Sequence, residues 1–172
     1  MTPEIIEAPL TREELGRMYR QMCDDPRFAN VPGKIELDAW GRIVMSPASP
    51  YHGVIQARLI QRLAQLGGEA IAEAAIVTSA GLLVADVAWG STAFISVHVA
   101  ETPLTRAPEL CIEVASPSNS SKELNEKVAA YLATGAFEAW IVYPQSKRCE
   151  YFSSNGPLER TAFAIDLTNL FD

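Results

Sequence analysis

The stretch PELCIEVASPSNSSKELNEKVAAYLATGAFEAWIVYP, residues 108–144, decides the fold class. Its apolar run LCIEVA is short and rich in small and β-branched residues, which is typical of a buried strand. Ser120 and Glu123 have the spacing of a capping box and predict the start of a helix, and Gly135 predicts its end. AWIVY then predicts a second buried strand. Strand, helix and strand in this order indicate an α/β layer in which a helix covers a central sheet.

The preceding and following segments extend this pattern. A capping box at Thr11 and Glu14 predicts a short helix to about Met22, and KIELDAWGRIVMS predicts a β-hairpin. Apolar residues at helical spacing follow, and three apolar runs between residues 70 and 116 predict buried strands. RCEYF and TAFAI predict two more strands near the end of the chain. We therefore predict an α/β (α+β) fold with a central mixed β-sheet flanked by helices.

Length and composition fit one globular domain over residues 1–172, with an N-terminal helix and hairpin over about 8–46 and a core over about 51–153. Apolar residues make up 48% of the chain, and 14 Lys and Arg against 21 Asp and Glu give a net charge of −7. Such a field repels phosphate backbones, so a nucleic-acid partner would need a local basic patch. The charge argues against a histone-like or polybasic coat protein and leaves metal-dependent enzymes open.

Cysteine usage and the N-terminus predict the compartment. Cys23, Cys111 and Cys149 form no CxxC pair and are predicted to be reduced and mostly structural, as in a cytosolic protein. The start MTPEIIEAPLTREEL lacks the basic and apolar regions of a signal peptide, and no apolar run approaches the roughly 20 residues of a membrane span. We expect a cytoplasmic chain that does not enter the membrane.

Two carboxylates interrupt buried strands. Asp86 lies within LLVADVAW and Glu113 within LCIEVA, where an ionised group needs a basic partner or a metal ion. The alternative for either residue is a strand-end position that reaches water. Alternation places Glu113 beside small neighbours, and it places Asp86 on one face with Val84 and Ala88. Two oxygen ligands from adjacent strands, completed by waters and phosphate oxygens, would suit Mg²⁺.

Lys127 flanks the apolar stripe of the predicted helix that begins near Ser120. From there its amine could reach a scissile phosphate or an attacking water. The alternative is an exposed lysine that pairs with Glu123 four residues earlier. Periodicity alone favours the exposed position.

The quoted stretch resembles the signature of the Uma-type restriction-endonuclease-like proteins, a bacterial family in the PD-(D/E)XK nuclease superfamily. That pattern is E-V-x-S-P-S, a polar turn, an acidic residue, K-x-x-x-Y, then G and W-x-V. The hairpin segment KIELDAWGRIVMSPASPYHG is similar to the family's E-L, G and S-P elements, followed by a His that opens a helix. The similarity covers roughly residues 8 to 152. The matching residues of the signature are Glu113, Val114, Ser116, Pro117, Ser118, Glu123, Lys127, Tyr131, Gly135, Trp140 and Val142.

The resemblance implies a restriction-endonuclease-like core with a divalent-metal phosphodiesterase site. Asp86 would correspond to the Asp of the PD element and Glu113 to the acidic residue of the (D/E)XK element. Two residues depart from this pattern, because Ala85 stands in place of Pro and Ala115 in place of the lysine. Lys127, on the next helix, would replace that lysine.

The same resemblance suggests two further candidates. His52 could be a neighbour of the metal site or a proton shuttle, although it could equally be a helix-start histidine bonded to a loop carbonyl. Glu36 could be a third carboxylate, although its alternation with Ile35 and Leu37 predicts a solvated hairpin face shared with Lys34.

Arg58 and Arg62, four residues apart on the helix after His52, could contact phosphates. The pattern favours instead the solvated side of an amphipathic helix.

Together these observations predict a nuclease that depends on Mg²⁺ or Mn²⁺. Asp86 and Glu113 would hold the ion, Lys127 would position or activate the nucleophile, and DNA would be the substrate by family analogy. Because such proteins often cut two strands in pairs, a homodimer is expected. The alternative is a catalytically silent module of the same fold, used for dimerisation or partner binding. A metal-dependent phosphoesterase for a small substrate is a third interpretation.

Overall fold

The computed structural model describes residues 8–31 and 33–172. The predicted absence of a signal peptide concerns mainly residues 1–7, which lie outside the described residues. The helices are α1 (Arg12–Asp24), α2 (Pro50–Leu63), α3 (Thr92–His98) and α4 (Ser121–Ala133). The strands are β1 (Lys34–Asp38), β2 (Ile43–Ser46), β3 (Glu69–Thr78), β4 (Gly81–Gly90), β5 (Leu110–Val114), β6 (Glu138–Tyr143), β7 (Arg148–Ser153) and β8 (Gly156–Leu158).

The eight strands found within the described residues belong to one mixed sheet. Its order is β2-β1-β4-β5-β6-β7-β8, and β3 pairs with the other edge of β4. The pair β5 and β6 is parallel and is connected through α4, whereas the remaining pairs are antiparallel. A parallel pair needs such a crossover, since a tight turn cannot return the chain to the same end of the sheet. The predicted α/β class, with helices flanking a central mixed sheet, is confirmed.

The edge of β4 that faces β1 and β5 contains an opening. β1 pairs with β4 at Gly81 and Leu82, and β5 pairs with it from Val87 to Trp89. Residues 83–86 of β4 therefore lie between the ends of two neighbouring strands. Side chains can enter the sheet at this point and take the place of a backbone partner.

Apolar clusters cover both faces of the sheet. On one face α4 packs over the middle strands, with Leu124, Val128 and Tyr131 in the cluster. On the opposite face α2 and α1 form two clusters, one around Leu59 and one around Leu15. The opening in the sheet is thus enclosed by helices on both sides.

The alternation of β4 shifts at Asp86. Ala85 and Ala88 both belong to the cluster on the α4 face, although an ideal strand would direct them to opposite faces. Val84 packs with α1 instead. In the paired strand, Glu73 has a positive φ of 51°, which marks the same irregularity. The prediction that Val84, Asp86 and Ala88 share one face is therefore wrong.

One local prediction is wrong, one helix was not predicted, and one prediction is confirmed in part. Residues 161–165 (TAFAI) do not form a strand, because the buried carboxylate of Glu138 accepts hydrogen bonds from Thr161 Oγ1 and the Ala162 amide, both at 2.7 Å. The short helix α3, capped by the Ser91 hydroxyl, was not predicted. Ser120 caps α4 as predicted, but the Glu123 carboxylate accepts from Asn119 Nδ2 at 3.2 Å rather than completing a capping box.

Arg58 and Arg62 neither face open solvent nor point towards the opening in the sheet. Arg58 Nη1 donates to the Leu170 carbonyl at 3.0 Å, and Arg62 donates to the carbonyls of Asp166 and Thr168 at 3.0 and 2.7 Å. Both side chains hold the C-terminal segment against α2, so the prediction of a solvated helix face is wrong.

Candidate active site

Side chains from β1 fill the opening in the sheet. The Val84 amide donates to Glu36 Oε1 at 2.8 Å, and Lys34 Nζ donates to the Val84 carbonyl at 2.9 Å. Glu36 and Lys34 thus replace the backbone partner that β4 lacks at this point. Glu36 is 3% exposed, so the prediction that it lies on a solvated hairpin face is wrong.

Asp86 and Glu113 converge on one point. Lys34 Nζ lies 3.0 Å from Asp86 Oδ1 and 3.3 Å from Glu113 Oε2. Both carboxylates are buried, with exposed fractions of 2% and 3%. The alternative of a strand-end carboxylate that reaches water therefore holds for neither residue.

Lys127 is also buried in this cluster. Its Nζ lies 2.9 and 2.8 Å from the two carboxylate oxygens of Glu36 and 3.6 Å from Glu113 Oε2. The side chain extends from α4 over the sheet. The alternative of an exposed lysine paired with Glu123 is thus wrong.

Helix α2 supports the Asp86 carboxylate. His52 Nε2 lies 2.9 Å from the Val114 carbonyl oxygen and 3.4 Å from Asp86 Oδ2, and Gln56 Nε2 donates to the Asp86 carbonyl at 2.9 Å. The Val114 amide donates to Asp86 Oδ2 at 2.8 Å. His52 is therefore bonded to a strand carbonyl while it also borders Asp86, which combines elements of both interpretations made from the sequence.

Each of the two central carboxylates has one oxygen held by the protein and one directed to the shared point. Tyr131 Oη donates to Glu113 Oε1 at 2.5 Å, just as the Val114 amide holds Asp86 Oδ2. The other oxygens, Asp86 Oδ1 and Glu113 Oε2, both face Lys34 Nζ. This arrangement orients two oxygen atoms towards one cation position.

Burial and charge shift the pKa values of the cluster in different directions. Burial raises the pKa of Glu113 to about 6, even though Lys34 opposes the shift. Burial also acts to raise the pKa of Asp86, but the hydrogen bond from His52 and the charge of Lys34 lower it overall. Burial would lower the pKa of Lys34, yet the charges of Glu113 and Asp86 outweigh it and raise that pKa. The hydrogen bond with Asp86 raises the pKa of His52.

The five residues selected from the sequence lie together around one small cavity. The cavity has a volume of about 40 Å³, enough for more than one water molecule. Four of the five line it, namely His52, Asp86, Glu113 and Lys127, and Glu36 is bonded to Lys127. Ser116 and Asn119 from the loop after β5 add a hydroxyl and an amide. The structure thus places the selected residues together, while their roles remain predictions.

Three residues of the site were missed by sequence reasoning, and periodicity held a signal for each. Lys34 lies two residues before Glu36 and so shares its face of β1. Gln56 follows His52 by four residues on α2, and Tyr131 follows Lys127 by four on α4. Once one residue of each pair is selected as a site candidate, its neighbour on the same face becomes a candidate as well.

The donor set fits a divalent cation in part. Two carboxylate oxygens that face one point are the protein ligands Mg²⁺ commonly uses, with waters and phosphate oxygens completing the shell. Within residues 8–31 and 33–172, however, no three His, Cys, Asp or Glu residues group as a ready-made metal cage. The Lys34 ammonium lies between the Asp86 and Glu113 carboxylates. The site therefore suits an ion with two protein ligands, provided that Lys34 moves.

Comparisons with known proteins identify the family of this chain. The family model for Uma2, described as "Putative restriction endonuclease", matches residues 17–168. The chain belongs to the Uma2 family. The match includes every residue of the cluster, and it confirms the resemblance found in the sequence. A search of curated proteins finds no match.

A solved structure shares the fold of this Uma2 protein. It is a crystal structure from Anabaena variabilis, described as a putative nuclease belonging to DUF820. The two chains are 18% identical and superpose with a TM-score of 0.62, covering 95% of this chain and 98% of the other. At this identity the likeness supports the fold alone. Family and fold together support a nuclease at this coarse level.

Among the described residues, no helix combines the length and the apolar character that a bilayer crossing requires.

Proposed function

We propose that this protein is a Mg²⁺- or Mn²⁺-dependent nuclease that hydrolyses phosphodiester bonds of DNA. We also propose that it consists of one domain and acts in the cytoplasm. One observation carries the proposal: Asp86 Oδ1 and Glu113 Oε2 face the same cation position, which Lys34 Nζ occupies at 3.0 and 3.3 Å from them. Each carboxylate is fixed through its other oxygen, so the pair is preorganised for a cation. The three free cysteines of the described residues are consistent with a reducing compartment.

In the proposed mechanism each residue has a distinct task. Asp86 and Glu113 would hold the divalent ion, which would supply charge stabilisation and a more acidic water ligand at the scissile phosphate. Lys127, 3.6 Å from Glu113 Oε2, orients the nucleophile or the phosphate next to that carboxylate. Glu36 fixes the Lys127 ammonium, and His52 keeps Asp86 in place from the side of α2.

DNA would be bound by a local patch, against the average charge of the protein. The net charge of −7 repels a phosphate backbone, and a bound ion would offset part of it at the site. Few phosphate contacts mean weak binding, and its salt dependence would report how many contacts form. Ser116, Asn119 and Lys127 line the cavity and are the side chains proposed to contact the phosphate.

Cleavage of supercoiled plasmid tests this proposal. We expect nicked or linear product with Mg²⁺ or Mn²⁺ and none when a chelator is present. Asp86→Ala removes one ligand and the carboxylate that organises the end of β5, so its cleavage falls to background. The exposed variant Glu126→Gln serves as the control and keeps full activity, since this carboxylate lies at the surface, where it pairs with Lys122. Cleavage by Asp86→Ala at the wild-type rate would contradict the assignment.

The competing proposal is a silent module that keeps the fold without catalysis. It is favoured by the Lys34 ammonium between the two carboxylates, and by the finding that no buried polar side-chain atom in the described part of the chain lacks a hydrogen-bond partner. Calorimetric titration separates the two proposals. Metal binding that disappears in Glu113→Ala supports the enzyme, whereas no binding at millimolar metal supports the module.

We further propose that the protein is a homodimer that presents two sites to a duplex. The end strand β2 exposes Ile43, Val44 and Met45 in succession, and an apolar edge strand favours pairing with a second chain. Sedimentation of the wild type should give twice the chain mass of 18.7 kDa, and Val44→Lys should shift it towards one chain. Val99→Lys, at an exposed apolar residue at the end of α3, should leave the mass unchanged. A wild type that sediments as one chain would disprove the dimer.

A further inference from the structure

Lys34 occupies a position that no other cation of the cluster shares. Its Nζ donates to the Val84 carbonyl at 2.9 Å, to Asp86 Oδ1 at 3.0 Å and to Glu113 Oε2 at 3.3 Å. These three acceptors use all three N–H groups of the ammonium. The side chain is 11% exposed, so the charge is held by the carboxylates rather than by water.

Lys127 cannot substitute for this role. Its ammonium bonds both oxygens of Glu36 and stays 3.6 Å from Glu113 Oε2. The ammonium of Lys127 is thus paired mainly with Glu36 and not with Asp86 or Glu113. Lys34 alone, among the described lysines, forms ion pairs with both Asp86 and Glu113.

The surroundings of Lys34 offer space for a second position of its side chain. Lys34 lines the site cavity and also a neighbouring cavity of about 250 Å³, which lies towards Tyr19 and Cys23. Glu73 lines both cavities and offers a displaced ammonium a group of opposite charge. The side chain therefore stands at the boundary between the site and a larger open volume.

The backbone before Lys34 is fixed. Gly33 has a φ of +80°, and a Cβ atom there would lie 2.8 Å from the Ser46 carbonyl oxygen. Only glycine fits this turn without strain. The Lys34 backbone also pairs with Ser46 of β2, so we expect an exchange of the ammonium to involve mainly the Lys34 side chain.

We infer that Lys34 is the resident cation of the site and that a divalent ion binds by displacing its ammonium from Asp86 and Glu113. The inference rests on the proposed function, since it concerns the same two ligands. It explains how two buried carboxylates remain together in the metal-free protein, where like charges would otherwise repel. Binding exchanges one cation for another, so the two carboxylates are paired with a cation both before and after the metal binds. The displaced ammonium remains beside the site.

Metal titration of Lys34→Met tests the exchange. Loss of the competing positive charge should tighten the Kd for Mn²⁺ by about tenfold or more, since a unit charge a few ångströms away acts strongly on a divalent ion. The metal-free variant should melt at a lower temperature than the wild type, because its carboxylates lose their cation. Lys122→Met, exposed on α4, is the matched control and should change neither quantity. An unchanged or weaker Kd in Lys34→Met would overturn the inference.

Two further measurements keep the test decisive. Lys34→Gln retains a donor for the Val84 carbonyl without the charge, and it should show the same gain in affinity if Lys34→Met does not fold. In the wild type, Mn²⁺ should increase the acylation of Lys34 by an amine-reactive ester, measured by mass spectrometry against Lys122. Unchanged Lys34 labelling under saturating metal would also overturn the inference.

The outcome can be distinguished from failure of the proposed function. Tight metal binding by Lys34→Met, with no binding and no cleavage by the wild type, would support Lys34 as the resident cation but would overturn its displacement by metal and the nuclease proposal. Metal binding and cleavage by the wild type, with no gain of affinity in Lys34→Met or Lys34→Gln, would overturn the exchange alone. No metal binding by any of these proteins would overturn both.

Discussion

Lys127→Met should lower the free energy of unfolding by about 3–5 kcal/mol, the usual effect of removing one partner from a buried ion pair. The ammonium bonds both oxygens of Glu36, and both side chains are nearly inaccessible to water. Without Lys127, the buried carboxylate of Glu36 loses its closest cation. Glu36 cannot turn towards solvent, because its Oε1 also accepts from the Val84 amide. Chemical denaturation of the metal-free protein measures the difference.

A second substitution separates charge from packing. Lys34 Nζ stays 3.8 Å from Glu36 Oε1 in Lys127→Met, but the closer cation is gone. Lys127→Met combined with Glu36→Gln removes this poorly compensated charge and keeps an oxygen for the Val84 amide, so it should recover much of the lost stability. Lys122→Met on the solvated side of α4 should stay within about 0.5 kcal/mol of the wild type. If Lys127→Met loses less than 1 kcal/mol, or the double variant is no more stable than the single one, Lys127 and Glu36 do not form a buried pair.

The contrast between these residues explains what the sequence could predict. Asp86 and Glu113 were recognised because a carboxylate inside a buried apolar run is unusual, and that signal is local. Glu36 and Lys127 lie in segments whose periodicity indicates solvent. They are buried because β1 and β5 leave an opening along β4 and α4 covers it. Strand order and the gap between strands depend on contacts far apart in the chain, which periodicity does not record.

The C-terminal segment shows the same limit. TAFAI has the composition of a strand, yet residues 161–165 are held by Glu138 from β6 rather than by a neighbouring strand. Arg58 and Arg62 have the spacing of a solvated helix face, yet they bond the carbonyls of this segment. Local propensity predicted strands β1 to β7 and helices α1, α2 and α4, but it missed α3 and β8. It failed at TAFAI, where a long-range polar contact holds the segment.

Glu113→Gln should abolish metal binding and lower metal-dependent cleavage by about a thousandfold, since a bound ion contributes several kcal/mol of charge stabilisation in the transition state. The amide keeps an oxygen for the Tyr131 hydroxyl, so the fold should survive. The substitution leaves Asp86 in place and tests whether one carboxylate is sufficient. Calorimetry and plasmid cleavage measure the two effects, with Glu126→Gln as the exposed control.

The pH dependence of metal binding gives this prediction a second readout. Because burial raises the pKa of Glu113 to about 6, a proton competes with the metal below that pH, and the affinity should fall about tenfold per pH unit. Asp86 remains ionised in this range, since its pKa is lowered.

In the metal-free protein, protonation of Glu113 has the opposite effect, because it stabilises the fold. The folded pKa of Glu113 exceeds the usual value of 4.5, so its protonation stabilises the fold fully below 4.5, and this stabilisation is lost as the pH rises through about 6. Glu113→Gln should lack this component of the stability profile between pH 4.5 and 6, whereas His52, whose pKa is raised from 6.5, titrates above that window in both proteins. A variant with the wild-type profile would show that Glu113 is not the titrating group.

If wild-type metal affinity stayed constant between pH 5 and pH 7, the Glu113 carboxylate would not be a ligand.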